Sequence, residues 1–235
     1  CVVNAAAERD LEVLVRALLA AEAQGKRFLY RTAASFVPIR AGLAPRPLLQ
    51  ADELLLPQGG GGLTMVGSYV PKTTAQVQTL LQESAVVGIE LRVDRLLDED
   101  RCEHEVAQVA GEIERALAQD ADVVVYTSRN LVTGPDGESS LAIGRRISNG
   151  LVSIVQALTV RPRYLLAKGG ITSSDLATAG LNVERALVLG QILPGVPVWQ
   201  LGPESRFPGM PYIVFPGNVG GPTALVDVVS TLRLS

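Results

Sequence analysis

Short apolar runs alternate along the chain with longer stretches in which apolar residues recur every three or four positions. Residues 139–158 (SSLAIGRRISNGLVSIVQAL), for example, place Ile147, Leu151 and Ile154 on one side of a helix. Strands are predicted at 63–68, 86–93, 122–128, 163–169, 185–192, 196–202 and 212–217. Helices are predicted at 73–82, 103–118, 139–158 and 223–232, with a short one after residue 170. This alternation indicates an α/β fold: an open, mostly parallel sheet with helices on both faces.

The first 45 residues carry a separate pattern. Strands are predicted at 2–5 and 26–32, with a helix between them that ends at Gly25, so that the segment forms a β-α-β unit. The following stretch contains several prolines and four consecutive glycines, which is typical of a linker. We therefore predict a remnant of one domain at 1–45, a linker at 46–62 and a second domain at 63–235. Because the chain opens with Cys1 in the middle of an apolar segment, we expect a fragment of a longer protein.

Composition and charge narrow the function classes. Hydrophobic residues make up 47% of the chain and charged residues 19%, with a net charge of −3, which indicates a globular rather than a disordered protein. Basic residues are neither in excess nor clustered, so we expect no nucleic-acid partner and no attachment to an anionic membrane. No apolar stretch approaches the ~20 residues that span a bilayer, and no signal peptide opens the chain. A cytoplasmic location is therefore expected.

Cysteine and histidine offer little metal or redox chemistry. Cys1 and Cys102 are the only cysteines and His104 is the only histidine. Neither a disulfide framework, nor a familiar zinc site, nor a serine–histidine triad is expected from so few residues. The segment around Cys102 and His104 is better explained as the charged, solvated face of a helix.

Three predicted strands end in loops of small residues that lead into a helix. The loops are 67–73 (GSYVPKT), 169–174 (GGITSS) and 217–222 (GNVGGP). Such a loop places free backbone N–H groups and the positive end of a helix where phosphate oxygens can approach. Any one of them is also ordinary turn chemistry, and the chain contains neither a P-loop nor a dinucleotide fingerprint. Together the three loops favour an anion site at one edge of the sheet.

Two of these loops also match local helix-start signals. Thr73 with Gln76, and Thr172 with Asp175, have the spacing of capping boxes. Asp175 is accordingly expected to cap its own helix rather than to take part in catalysis. Pro222 is suited to the first turn of the last helix.

Two basic residues near these loops have two possible roles each. Lys168 either neutralises phosphate charge or is a solvated lysine at a strand end. Arg129 lies in a further loop with Ser128 and Thr133. Of its two possible roles, a structural ion pair is expected in preference to a contact with a ligand.

Taken together, these stretches resemble the C-terminal nucleotide-binding half of the four-carbon acid sugar kinase family. The resemblance runs from about Gly61 to the C-terminus, and residues 1–43 resemble the last piece of the family's N-terminal sugar-binding domain. Enzymes of this family phosphorylate threonate, erythronate or their 3-oxo relatives with ATP. The resemblance therefore implies a small sugar acid as substrate and ATP with Mg²⁺ as cofactors.

The resemblance also implies site residues. In the family, a serine after a strand-end glycine contacts ATP, and it falls on Ser68, whereas the second serine of many relatives is replaced by Val70. The Gly-Gly-acid-Thr and Gly-Asn-x-Gly segments of the family supply the remaining nucleotide contacts. They fall on Gly169, Gly170, Ile171 and Thr172, and on Gly217, Asn218 and Gly220. Ile171 replaces the usual acidic residue, which suggests a subgroup with different nucleotide or metal contacts.

The general base is expected in the missing N-terminal domain. We therefore expect this chain alone to bind nucleotide without turnover. No residue of the chain is predicted to bind a metal ion. An apolar surface exposed by the missing half is expected to favour association between copies, as a possible homo-oligomer. Two other classes remain open. One is a non-catalytic module that binds a phosphorylated metabolite, and the other is a nucleotide-free α/β enzyme such as a sugar-phosphate aldolase or isomerase.

Overall fold

The structure is a computed structural model that describes residues 1–54, 56–68, 70–129 and 132–233. The chain divides into two compact units, Cys1–Pro47 and Leu48–Ser235.

The first unit is built from two helices that contact each other, α1 (Glu8–Ala23) and α2 (Phe36–Ala41). Helix α1 begins where the Asp10 carboxylate accepts the backbone N–H groups of Ala6 and Ala7, at 2.9 and 3.0 Å. The strands predicted at 2–5 and 26–32 are wrong, because no residue of this fully described unit lies in a strand. A strand is stable only when its backbone groups pair with a neighbouring strand, and within Cys1–Pro47 neither segment has one.

The second unit follows the alternation predicted from the sequence. It opens with a 3₁₀ turn at Ala51–Leu54. The strands are β1 (Leu63–Val66), β2 (Val87–Leu91), β3 (Val123–Thr127), β4 (Leu165–Lys168), β5 (Ala186–Leu193), β6 (Val196–Leu201) and β7 (Pro211–Phe215). The helices are α3 (Pro71–Glu83), α4 (Val93–Leu96), α5 (Cys102–Leu117), α6 (Gly137–Ala157), α7 (Gly170–Asp175), which continues into a π turn at Leu176–Gly180, and α8 (Ala224–Arg233).

The strands form one sheet in the order β2-β3-β1-β4-β7-β6-β5. The first five of these are parallel, and β6 pairs antiparallel with both β7 and β5. The predicted open, mostly parallel sheet is confirmed. The antiparallel end arises because β5, β6 and β7 follow one another without an intervening helix.

Helices cover both faces of the sheet. Helices α3 and α8 pack on one face around Val77, Leu80 and Val228, and α5 and α6 pack on the other around Ile113 and Ile154. The continuation of α7 packs on the second face through Leu176 and Ala177. The chain therefore leaves β1 and β7 towards one face, whereas it leaves β4, which lies between them, towards the other. Such a reversal opens a crevice at the carboxyl ends of the strands, where open α/β sheets bind their ligands.

The stretch predicted as a linker contains four buried residues, although most of its other described residues are exposed. Leu49 and Leu54 are buried, and the Leu49 N–H donates to the carbonyl of Gln191 at 2.8 Å. A Cβ atom at Gly61 would lie 2.0 Å from the Ala121 carbonyl oxygen, and one at Gly62 would lie 2.1 Å from the Tyr164 ring. Two of the four consecutive glycines are thus explained by close packing at the amino ends of β1, β3 and β4 rather than by flexibility.

Within the described part of the chain, no helix combines the length and the apolar character that crossing a membrane requires.

Candidate functional site

The carboxyl ends of β1, β4 and β7 lie side by side. Strand β4 pairs with β1 through Lys168 and Val66, and with β7 through Lys168 and Phe215. The loops that follow these three strands therefore begin at the same edge of the sheet. They are the three small-residue loops that the sequence singles out.

Short distances show that the three loops meet. A Cβ atom at Gly169 would lie 3.6 Å from the Cβ atom of Ser68, and a Cβ atom at Gly217 would lie 4.0 Å from the Ser68 hydroxyl oxygen. Gly67 lies against Thr172, because a Cβ atom there would be 2.4 Å from the Thr172 hydroxyl oxygen. Four residues predicted from three separate stretches of sequence thus form one cluster: Ser68, Gly169, Thr172 and Gly217.

The glycines of the middle loop have two different reasons to be glycine. Gly169 has φ of +121° and ψ of 142°, a conformation that side chains rarely allow. Gly170 has no such strain, and a Cβ atom there would meet no atom of the described residues within 4 Å. Its backbone is therefore open to a ligand. Beside it, the Ile171 side chain is 75% exposed, whereas Thr172 is buried.

The capping boxes predicted at the helix starts are wrong. Helix α3 begins at Pro71 rather than after Thr73, since the fixed φ of proline suits the first helical position. Helix α7 begins at Gly170, with Gly169 before it, so Thr172 lies inside the helix. Asp175 lies at its end and accepts a hydrogen bond from the Ser148 hydroxyl. Pro222 lies just before α8 rather than in its first turn.

Side chains freed from capping bind the loop that follows β7. The Gln76 side-chain nitrogen donates to the carbonyls of Val219 and Gly221, at 3.1 and 2.8 Å. The Thr73 hydroxyl donates to the Gly217 carbonyl at 3.4 Å. Both side chains are fully buried.

Lys168 is not the solvated strand-end lysine that was one of its two predicted roles. It is fully buried at the end of β4, and its Nζ atom donates to the carbonyls of Pro216 and Gly217, at 2.8 and 3.3 Å. Nζ also lies 4.0 Å from the centroid of the Phe215 ring. Burial, and then the positive charge of Lys72, lower the pKa of Lys168 to about 8.

Arg129 holds the loop that carries Ser68. Its Nη1 atom donates to the Ser68 carbonyl at 2.9 Å, and its other nitrogens donate to the carbonyl and hydroxyl of Thr127. The role is structural, as expected, but it is served by hydrogen bonds to neutral oxygens. The Ser128 hydroxyl accepts the Val93 N–H at 3.1 Å, and Thr133 is exposed.

The sequence identified neither Lys72 nor Gln76 as a donor to the loop after β7, nor the Ser68 carbonyl as a partner of Arg129. Lys72 donates from Nζ to the Asn218 carbonyl at 3.1 Å, across 146 positions of sequence. The one available signal was position, since Lys72 and Gln76 lie in the first two turns of the helix that leaves β1.

Family models match most of the chain. Residues 63–225 match the model of a nucleotide-binding C-terminal domain, and residues 1–39 match that of a sugar-binding N-terminal domain. These two domains together make up one family. The chain belongs to the four-carbon acid sugar kinase family. Its larger unit therefore contains the nucleotide-binding domain of that family, at the edge of whose sheet the three loops meet.

Solved structures show the same fold. HI1011 of Haemophilus influenzae matches with a TM-score of 0.65 and 19% identity over 97% of this chain and 52% of that one. A domain from Bordetella bronchiseptica, a domain-swapped dimer with bound citrate, matches with a TM-score of 0.58 and 19% identity over 97% and 52%. A protein from Salmonella typhimurium LT2, provisionally named a tRNA synthase, matches with a TM-score of 0.64 and 16% identity. That match covers 95% of this chain and 50% of that one. At these identities the likeness concerns the fold alone.

The chain thus spans about half the length of these solved structures. Among curated proteins, none matches the chain significantly.

Proposed function

We propose that residues 63–235 bind ATP for a kinase that phosphorylates a terminal hydroxyl of a four-carbon sugar acid, of the threonate, erythronate or 3-oxo-tetronate type. The observation that carries the proposal is the meeting of the loops after β1, β4 and β7 around Ser68, Gly169 and Gly217. Membership of the family supports the nucleotide, and the sugar-binding model over residues 1–39 supports the class of acceptor.

Each loop has a distinct part in the proposed site. Ser68 offers a hydroxyl, and the segment of Gly169, Gly170, Ile171 and Thr172 offers backbone that none of the described side chains covers at Gly170. Because Ile171 is apolar and exposed, the phosphates meet no negative side chain at that position. The remaining residues of the proposed site are Gly217, Asn218 and Gly220.

The nucleotide is proposed to arrive as its Mg²⁺ complex. Mg²⁺ usually keeps several waters and takes its other ligands from substrate phosphates and one or two carboxylates. Among the residues that the structure describes, no group of three or more His, Cys, Asp or Glu side chains is placed to hold a metal ion. The proposal therefore assigns no protein ligand to the metal and no reaction step to it.

Phosphoryl transfer depends mainly on holding the reactants in line and on stabilising charge. The nucleotide-binding domain is proposed to hold ATP in line for the transfer. The choice of sugar acid and the general base are proposed to lie in the sugar-binding domain.

Thermal unfolding with added ligands tests nucleotide binding, since a ligand of the folded state raises the melting temperature. We expect ATP and ADP to raise it and glucose 6-phosphate to leave it unchanged. A rise with sugar phosphates but not with ATP indicates instead a module that binds phosphorylated metabolites. Release of ADP that depends on threonate or erythronate, measured on the chain joined to a complete sugar-binding domain, tests the kinase activity.

A further inference from the structure

The loop between β7 and α8 is held from one side through its carbonyl groups. Four consecutive carbonyls, those of residues 216–219, and that of Gly221 each accept a hydrogen bond from a side chain of β4 or α3. The donors are Lys168 to Pro216 and Gly217, Thr73 to Gly217, Lys72 to Asn218, and Gln76 to Val219 and Gly221.

Peptide geometry converts this arrangement into an orientation of N–H groups. In a planar trans peptide, the C=O of one residue and the N–H of the next point in opposite directions. Fixing the carbonyls of Pro216, Gly217 and Val219 towards the donors therefore turns the following N–H groups away from them. Those N–H groups belong to Gly217, Asn218 and Gly220.

Holding the loop through these donors costs free energy, because most of the donors are buried polar side chains. Lys168 and Gln76 are fully buried, and the Gln76 side-chain oxygen is buried with no hydrogen-bond partner in the part of the chain that the structure describes. Burying an ammonium group or an unpaired polar atom costs free energy. The chain contains three lysines, and two of them, Lys72 and Lys168, donate hydrogen bonds to this one loop.

We propose that Lys72, Lys168 and Gln76 are positioning residues for the phosphate groups of the nucleotide. They hold the loop so that the N–H groups of Gly217, Asn218 and Gly220 face the phosphates, and the two ammonium groups add positive charge behind it. The inference rests on the proposed function, because it takes the occupant of the site to be a nucleotide. None of the three side chains is required to touch the nucleotide.

Calorimetric titration of the 235-residue chain with ATP and with adenosine tests this inference. The variants are Lys72→Met, Lys168→Met and Gln76→Leu. The matched controls are Lys26→Met, at an exposed lysine of the first unit, and Gln78→Leu, at an exposed glutamine of helix α3. Melting temperatures are measured on every variant, and Lys72→Met keeps the test valid if a buried substitution prevents folding, because Lys72 is exposed.

We expect each of the three variants to weaken ATP binding about tenfold, the effect of about one lost charge-assisted contact. Adenosine, which lacks phosphates, should bind within about twofold of its affinity for the unaltered chain. Variants that bind ATP as tightly as the unaltered chain, or that lose ATP and adenosine equally, overturn the inference. An unaltered chain that binds neither overturns the proposed function as well.

Discussion

The guanidinium group of Arg129 donates a hydrogen bond to the carbonyl oxygen of Ser68 over 2.9 Å. The same group binds the carbonyl and the hydroxyl of Thr127, each at 2.8 Å, and lies 5.8 Å from the centroid of the Tyr126 ring. Burial lowers the pKa of Arg129, but an arginine keeps its charge in proteins. One side chain thus joins the end of β3 to the loop after β1, and the position of the Ser68 hydroxyl depends on it.

Replacing Arg129 should therefore weaken nucleotide binding, although Arg129 itself is not proposed to contact the nucleotide. For Arg129→Met we expect ATP affinity to fall about tenfold and the free energy of unfolding to fall by about 1–3 kcal/mol, because buried acceptors lose their donor. Arg129→Lys should restore little, since a single ammonium group does not reproduce the planar fork. Arg9→Met, at a side chain that is 72% exposed, is the control. An Arg129→Met chain that binds ATP normally contradicts this account of the loop.

Gly169 and Gly170 should respond in opposite ways to substitution. Gly169→Ala forces a side chain into a conformation with φ of +121°, so it should cost roughly 1–3 kcal/mol of stability. Gly170→Leu points into open space and should change stability by less than about 0.5 kcal/mol. It should nevertheless weaken ATP binding at least tenfold, ~1.4 kcal/mol, because the side chain fills the space proposed for the ligand. Chemical denaturation and calorimetry measure the two effects.

Gly111→Leu is the matched control for Gly170→Leu, because a Cβ atom at Gly111, in helix α5, also meets no atom within 4 Å. It should raise stability by up to about 1 kcal/mol, because leucine has a higher helix propensity than glycine, and it should leave ATP binding close to that of the unaltered chain. Normal ATP binding by Gly170→Leu would remove the middle loop from the proposed site.

Gly67 and Thr172 should be coupled energetically. In Gly67→Ala the new methyl group would lie 2.4 Å from the Thr172 hydroxyl oxygen and 2.9 Å from the end of Leu151, so we expect a loss of about 1–3 kcal/mol. Removing the hydroxyl in the double variant with Thr172→Ala should recover at least about 1 kcal/mol of that loss. Urea denaturation of the two single variants and the double variant gives the coupling. Strictly additive effects are the contrary result, and they would mean that the two loops are not in contact.

The meeting of the three loops was predictable because it follows from the parallel topology. Strands joined by right-handed crossovers run in the same direction, and the two reversals from β5 through β6 to β7 restore that direction. The loops after 63–68, 163–169 and 212–217 therefore emerge at one edge of the sheet. The order of the strands was not available from the pattern. Apolar periodicity shows that a strand is buried, but not that β4 lies between β1 and β7.

The supporting side chains were beyond prediction for a different reason. Thr73 and Gln76 have the spacing of a local capping box, yet Pro71 starts the helix earlier and leaves both free for partners more than 140 positions away. A local motif contains no information about such partners. The strands expected at 2–5 and 26–32 failed in the same way, since strand pairing also depends on distant segments.

The buried lysine predicts a pH dependence of stability. Lys168 has a pKa of about 8 in the folded chain, against an ordinary value of 10.5, because it is buried beside Lys72. Between these two values the unfolded chain binds more protons than the folded chain, so the contribution of Lys168 to the free energy of unfolding rises with pH. The rise is at most about 1.4 kcal/mol per pH unit. Below pH 8 both states are protonated and the contribution is constant.

Comparison with Lys168→Met isolates this effect, because methionine does not titrate. The free energy of unfolding of the unaltered chain minus that of Lys168→Met should be constant from about pH 6.5 to 7.5 and should increase between about pH 8 and 10, following the folded and unfolded pKa values. Urea denaturation at each pH measures it, and Lys26→Met, at an exposed lysine, should show a constant difference throughout. A difference for Lys168→Met that stays constant or decreases up to pH 10 would show that the ammonium group is not held in the buried position against Pro216 and Gly217.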